Sequence, residues 1–481
     1  MKKINFKFIG ILLLVILALG SCKKWIDPNV NITPDSPPDA DMSVILPYAE
    51  TNMAYNTIGG NDIARVTSIW MQYIAGISRQ STAEQNYFWF NSDDNNLWNA
   101  NYATTMIDLK LIIEKADKRL KLSPADQAVG HVYKGIAEVL MANALGATTD
   151  VFGDIPYSDA FKGDQELQPT FDTQQQVYTA IQDMLTDAIS NLRATSSTAQ
   201  RDLIYGGDPS KWLGAAWALK ARYALHLSKI NGTPAYQDAM NFIDSGAIAS
   251  NGDDLQFTFP GYPYSNPFFN FENERGDVQM HSTLIDTLLF RQDPRIAVYA
   301  DPNGDGNFKG ANFDYSGDGS DISWPGSAVA YENSPVQFMT YVECLFIKAE
   351  GKLKTGAPMA DVKTALVAAV GASMDKWGVF NGTYMAAYDS AIQHIPDIAV
   401  YPEIMRQKWI ALYFQLESFN DWRRTDNVIG LTANFIPGAK KHEIPRRYPY
   451  SVDEQTYNSH TPVLPNNPYE IWDRVWWDPA K

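Results

Sequence analysis

Only two cysteines, at positions 22 and 344, occur among the 481 residues of this chain. A scaffold stapled by disulfides is therefore excluded. Stability has to come from a large core, which 45% hydrophobic residues over this length can supply. Long apolar runs are scarce too. After residue 19 no run of about 18 apolar residues occurs, so no membrane-spanning helix is expected there. Basic residues are in deficit, 39 Lys and Arg against 55 Asp and Glu. Such a chain is a poor partner for nucleic acid, because phosphate affinity comes from Lys and Arg displacing counterions. Anionic headgroups would repel it as well. No paired carboxylates stand in a glycine-rich cleft-like loop, and no histidine stands in a motif that would activate a thiol. The chain therefore reads as a non-enzyme that requires no cofactor.

What is present begins at the N-terminus. Lys2, Lys3 and Lys7 precede an apolar run from Ile9 to Leu19, followed by Gly20, Ser21 and Cys22. A charged segment, an apolar segment and small residues in that order read as a secretory signal over residues 1–21. Leu19-Gly20-Ser21-Cys22 resembles a bacterial lipobox, which implies lipid on Cys22 and a protein anchored to a membrane instead of spanning it. The plainer alternative is an ordinary signal peptide with a cysteine nearby. Removing three lysines with the signal takes the net charge from −16 to −19. Residues 22–41 carry Pro28, Pro34, Pro37 and Pro38 and read as an extended, lipidated tether. Cys344, on an apolar helical face in Tyr341–Lys348, reads as a small buried hydrophobe and not as a nucleophile.

Helical periodicity recurs along the body. Ser123-Pro124 starts one helix, with Val129, Val132, Tyr133, Ile136, Leu140 and Ala144 on its apolar face. Others are expected over 172–192 (capped by Asp172 or Thr173), 209–230, 335–354, 359–374 and 402–419. Small residues cluster on one face of several, Gly135, Ala142 and Ala144, then Gly214, Ala215, Ala218 and Ala221, then Ala349 and Gly351. Such faces allow close approach of paired helices, as in tetratricopeptide-type hairpins, although no strict 34-residue period fits. The fold class expected is mostly α, a tetratricopeptide-like scaffold of helical pairs with long irregular aromatic-rich loops and few short strands. Trp70, Trp212, Trp217, Trp377 and Trp409 are expected in the core, and Trp472, Trp476 and Trp477 as a cluster that seals it.

Residues 251–335 and 431–481 are rich in Gly, Pro, Asn and Asp and read as irregular. With 13 Trp, 25 Tyr and 22 Phe in the chain, aromatics crowd these loops. Flat rings beside amides, carboxylates and arginine suit sugars, whose C–H faces pack on aromatics while their hydroxyls need polar partners. Three stretches carry that mixture. Residues 85–98 supply Gln85, Asn86, Tyr87, Trp89, Asp93, Asn95 and Trp98, with Arg79 and Gln80 just before them. Residues 261–271 supply Tyr262, Tyr264, Asn266, Phe268 and Asn270. Residues 312–331 supply Asn312, Tyr315, Asp318, Trp324 and Tyr331. Arg79, Tyr87, Trp89, Asp93, Asn95, Trp98, Tyr262, Tyr264, Asn270 and Trp324 are the candidate ligand contacts. A weaker candidate is calcium on Asp301, Asn303, Asp305 and Asn307, whose spacing is like the start of an EF-hand loop. Position 12 of that loop is Asn312 instead of Glu, so a polar Asx/Gly turn is the favoured reading.

Several segments recur in a known family. Asp150-Val-Phe152-Gly153-Asp154-Ile155-Pro156-Tyr157-Ser-Asp-Ala160 is one, and Lys211-Trp212 at a helix start and Asp293-Pro294-Arg295 are others. Tyr341-Val-Glu343 with Lys348-Ala349-Glu350, Gln407-Lys408-Trp409-Ile410-Ala411-Leu412, Trp422-Arg423-Arg424-Thr425 and Ile444-Pro445-Arg446-Arg447-Tyr448-Pro449 complete the set. In their order and spacing they resemble the SusD/RagB nutrient-binding outer-membrane lipoproteins of Bacteroidota, over essentially the whole chain. One departure is Phe414-Gln415-Leu416-Glu417-Ser418-Phe419, where relatives commonly place a glycine before the glutamate and a tryptophan after it. The resemblance implies one SusD-like ligand-binding domain over 42–481, a right-handed helical scaffold and no catalysis. It also implies a SusC-like TonB-dependent transporter as partner, with the lipoprotein as its lid. Function is then expected to be capture of a nutrient, an oligosaccharide first, at the outer membrane facing the cell exterior. The alternatives are a peptide-binding member or a helical scaffold that only docks on the transporter. Glu343, Glu350, Glu417, Arg423 and Arg424 are expected to be structural ion pairs, and Asp154 to pin a turn.

Overall fold

The computed structural model describes residues 39–89, 92–435, 441–464 and 470–480. The signal over 1–21, the lipidation candidate Cys22 and nearly all of the 22–41 tether lie outside them. Residues Met42–Lys481 form one compact unit.

Its frame is a succession of helices, α1 (Met42–Asn52), α2 (Ile107–Arg119), α3 (Pro124–Phe152), α4 (Gln174–Ala194), α5 (Pro209–His226), α6 (Thr233–Asp244), α7 (Tyr341–Lys354), α8 (Met359–Lys376), α9 (Gly382–His394), α10 (Asp397–Ala411) and α11 (Leu416–Arg424). From α2 to α9 each packs against the next, as in stacked helical hairpins. Start signals in the sequence act as such. Ser123 Oγ accepts from Asp126 N at the head of α3, with Pro124 at the first position. Thr173, not Asp172, caps α4 in a reciprocal capping box with Gln176.

The small residues mark where helices approach most closely. A Cβ on Gly135 of α3 would lie 2.6 Å from Leu192 of α4, and one on Gly146 would lie 2.1 Å from the Tyr223 hydroxyl of α5. A Cβ on Gly351 of α7 would meet Met240 of α6 at 2.6 Å. Gly214 has ordinary clearance, with its nearest neighbour 3.6 Å away.

Three expected helices are shorter than their patterns. The 209–230 pattern ends its helix at His226, and Ser228–Asn231 form a separate turn of helix. Residues 335–339 are strand, so α7 starts only at Tyr341, where Thr340 accepts from Glu343 N. The 402–419 pattern is two helices. The chain turns at Phe414, whose φ of 63° no helix accommodates, and restarts as α11.

Strands are few. They form three two-stranded antiparallel sheets, β1 (Ile74–Gly76) with β3 (Val278–Met280), β2 (Leu255–Thr258) with β6 (Pro335–Met339), and β4 (Ala300–Asp301) with β5 (Trp324–Pro325). The 251–335 region is thus more ordered than its composition suggests. It also holds helices Pro267–Arg275 and Ser282–Arg291.

The recurring segments that begin at Asp150, Tyr341, Trp422 and Ile444 meet at one buried hub around α11, while Trp212 bonds Asp202 and Arg295 bonds Asp293 and Gln407 away from it. Arg423 donates to the carbonyls of Asp150 and Arg446, each at 2.7 Å. Arg424 forks onto Glu350 at 2.7 and 2.8 Å. Arg222 pairs with Glu343, and His226 Nε2 lies 2.8 Å from Glu417. Arg446 bonds Asp478 at 2.8 Å, and Tyr448 N donates to Val151 O at 2.8 Å. The C-terminal segment therefore wraps the end of α3, and Trp477 is fully buried with Nε1 on Asp150 at 3.0 Å. Asp154 accepts from Gln174 N at 2.7 Å and ties the turn after α3 to α4. Glu343, Glu350, Glu417 and Arg424 are in structural ion pairs, as expected, while Arg423 spends its donors on backbone carbonyls and Asn420 instead of a carboxylate. Cys344 is buried, and burial pushes its thiol pKa well up. Trp70, Trp212 and Trp409 are core, while Trp217, Trp377, Trp472 and Trp476 are half-buried.

Candidate ligand-binding surface

Beyond β2 the chain turns sharply at Gly261, whose φ of +92° favours glycine. Gly261 bridges to Tyr264, and Tyr264 N donates to Gly261 O at 2.8 Å. A loop this tight has no interior for large rings, so Tyr262 and Tyr264 stand 86% and 72% exposed. Glu332 pins the loop from outside. Its carboxylate accepts from Tyr262 N at 3.4 Å, and its carbonyl accepts from Asn266 N at 2.9 Å. Asn266 caps the next helix through Phe268 N at 2.8 Å, while Phe268 is buried against Phe414. Asn270, half-buried, lies on the same helix near the loop.

Tyr331, beside Glu332, is 45% exposed, and its hydroxyl lies 3.4 Å from both carboxylate oxygens of Asp301. Burial raises the pKa of Asp301, and the charge of Asp301 raises that of Tyr331. Asp301 pairs across the β4–β5 ladder with Trp324, itself 41% exposed. The Trp324 ring covers Gly276, where a Cβ would stand only 3.5 Å from it. On either side of Gly276, Arg275 and Asp277 form an ion pair at 2.7 Å. The buried Asp277 also takes Arg79 at 2.9 Å, leaving the Arg79 side chain 59% exposed. Tyr262, Tyr264, Tyr331, Trp324 and Arg79 are thus connected through Glu332, Asp301, Gly276 and Asp277 into a belt of exposed rings that ends on two guanidiniums.

The first aromatic stretch is different. Residues Asn95–Ala100 are helical, and their spacing turns Trp98 inward among Tyr102, Phe152 and Tyr450, with ring centroids 4.9 to 6.3 Å away. Tyr87 is buried as well. Its hydroxyl accepts from Asn434 N at 2.9 Å, and burial pushes its pKa up to about 12. Trp98 and Tyr87 therefore serve packing and offer no ring face to a ligand. Trp89 is half-buried, with Trp70 and Tyr448 at 5.6 and 4.6 Å. Asp93 and Asn95 are half-buried near it. The ring partners of Trp98 and Trp89, among them Tyr102, Phe152, Tyr450, Trp70 and Tyr448, are packing rings and not rings of the belt. Gln80 is bonded to Glu84, and Tyr315 to Asp321.

The 301–307 loop adopts the Asx turn. Asn303 Oδ1 accepts from Asp305 N at 3.1 Å and Asn307 N at 3.0 Å, and its amide donates to Asp321 O at 2.8 Å. The oxygen that the calcium reading needs at Asn303 is thus used by the backbone, and Asp301 is turned to Tyr331. Among the described residues no group of three or more His, Cys, Asp or Glu is placed to hold a metal.

Arg275 and Asp277 were not legible as site residues, since a short charged run after a helix looks like any solvated end. A family model described as SusD-like, starch-binding associating with outer membrane, matches residues 34–451. The chain belongs to this family. Among solved structures, this SusD-like chain is similar to a SusD/RagB family protein from Bacteroides thetaiotaomicron (26% identity, TM-score 0.77, covering 92% of this chain and 100% of that one). A chitin-binding SusD homolog from Flavobacterium johnsoniae shares 22% identity at TM-score 0.77, over 92% and 99% of the two chains. A SusD homolog from Bacteroides fragilis shares 20% at TM-score 0.73, over 91% and 99%. A search of curated proteins finds no match. The SusD-like family is a binding family associated with the outer membrane. Among the described residues, no helix is long and apolar enough to cross a membrane.

Proposed function

We propose that this SusD-like protein captures an oligosaccharide at the cell surface and delivers it, unchanged, to a SusC-like TonB-dependent transporter. The observation that carries this reading is the exposed belt from Tyr262 to Arg79. Its rings are held by strand pairing, a tight turn and Glu332, so they pay little ordering entropy on binding. Sugar C–H faces pack on Trp324, Tyr264 and Tyr331, and the free edges of Arg79 and Arg275 donate to hydroxyls. Lipid on Cys22 supplies the hold on the membrane that an acidic body lacks.

Isothermal titration against starch-, chitin-, xylan- and peptide-derived oligomers tests it, with chitooligosaccharides among the first probes because one relative binds chitin. One glycan series should bind, and Trp324→Ala should weaken it at least tenfold with no product formed. Binding of peptides alone, binding of nothing, or turnover would contradict the reading. Loss of transporter association in Trp324→Ala, with ligand affinity intact, would favour a docking scaffold.

A further inference from the structure

Next to the belt, and sharing Tyr264 with it, lies a groove of about 540 Å³. Its floor is Phe257 and Phe259, 5% and 3% exposed and packed edge to face at 4.9 Å. Tyr55, at the end of the first helical segment, stands edge-on to Phe259 at 6.5 Å. Leu203 and Tyr264 form the rim, 54% and 72% exposed. The groove is preformed at both rims. Glu50 of α1 accepts from Leu203 N at 2.9 Å, and Glu332 pins the loop that carries Tyr264.

Its chemistry differs from that of the belt. The belt runs from exposed rings to two guanidiniums, whereas the groove is lined mainly by rings, Leu203 and prolines, with Thr51, Thr258, Ser265 and Asn270 between them. Its polar side chains are short, and two are engaged, Thr51 Oγ1 on Pro47 O at 2.7 Å and Asn270 Nδ2 facing Ser265 O at 3.4 Å. A sugar ring placed there would find fewer polar partners for its hydroxyls than on the belt and no charged donor. An aryl group has no hydroxyls to satisfy, and ring edges and faces are the partners that aromatic groups prefer. The volume and the apolar lining are those of a small-molecule site. Tyr264 belongs to both surfaces, so one ligand can occupy both.

We propose that the groove holds an aryl substituent carried by the captured oligosaccharide, with the sugar lying on the belt. This rests on the glycan reading above. The test titrates the intact protein with methyl and 4-methylumbelliferyl glycosides of the same oligosaccharide series, and with 4-methylumbelliferone alone. The aryl glycoside should bind at least tenfold tighter than its methyl counterpart. Tyr55→Ala and Leu203→Arg should abolish that gain and leave methyl glycoside affinity unchanged, while Trp324→Ala weakens both. No gain, or a gain that survives in both groove variants, would overturn the proposal while the glycan reading stands. If no methyl glycoside binds, the glycan reading fails. In that case groove-dependent binding of 4-methylumbelliferone supports an aryl site, and its absence overturns one.

Discussion

At the scale of single residues, the same side-chain type does opposite work in neighbouring segments. Trp98 and Trp324 both lie among Asn and Asp in the sequence, yet one is 3% exposed and the other 41%. Trp98→Ala removes the ring that Tyr102, Phe152 and Phe171 pack on. It should cost about 3–5 kcal/mol in chemical denaturation, the range for large aromatic truncations in a core. Trp324→Ala should cost about 1 kcal/mol or less in the same assay while abolishing most ligand affinity. What separates the two is the backbone. Trp98 sits on a helix whose period buries it, whereas Trp324 is held on a two-residue strand over a glycine. Composition shows that rings are plentiful, but not which of them the backbone turns outward. For that reason the 261–264 tyrosines and Trp324 were legible as candidates only together with Tyr87 and Trp98. Tyr264 and Trp324 were found because large rings in a Gly/Pro/Asn-rich loop have little helix face to hide in.

At the scale of elements, the helical stack was legible because its signals are local. Ser123-Pro124, the Asp172-Thr173 start and the glycine faces of α3 and α7 each act within a few residues or at one helix contact. Gly146→Leu should be strongly destabilising, because its side chain would enter the space of the Tyr223 ring. Overpacking of this kind typically costs 1–3 kcal/mol or more, and a lowered midpoint in urea with an unchanged slope would show it. The α11 hub is the counterpart in charge. Arg424→Met leaves Glu350 and Asp421 buried without their shared cation. A loss of about 3–5 kcal/mol is expected, and the double variant with Glu350→Gln should recover part of it. The strands and the 267–275 helix were illegible for the complementary reason. Their pairing partners lie far along the chain, as β1 with β3 and β2 with β6 do, and a three-residue strand has no period to read.

For the whole molecule, buried titratable groups give stability a definite pH dependence. Burial raises the pKa of Glu138 and Glu272 to about 8. Burial opposes charge on His226, but the carboxylates of Glu417 and Asp150 outweigh it and raise its pKa to about 9. A pKa raised on folding means that the folded state binds the proton more tightly. The stability from these groups is therefore full below their unfolded values, near 4.5 and 6.5, and is lost as pH rises through 8 to 9. Asp150, Asp293 and Asp421 act in the other direction. Burial raises each, but neighbouring cations outweigh it and hold each below its usual value, so their contribution is lost on strong acidification. The melting temperature should therefore be highest in mildly acidic buffer and fall as pH rises from about 5 to about 9. In His226→Gln the alkaline part of that fall should be shallower. A melting temperature that rises across this range would contradict the assignment.

The glycan-capture account rests on the belt, and the most direct measurement is calorimetric titration of the intact protein and of Trp324→Ala with one oligosaccharide series. The account predicts saturable binding by the intact protein and at least a tenfold loss in the variant, with the melting temperature nearly unchanged. Equal affinity in the two proteins, or no glycan binding by either, would contradict it.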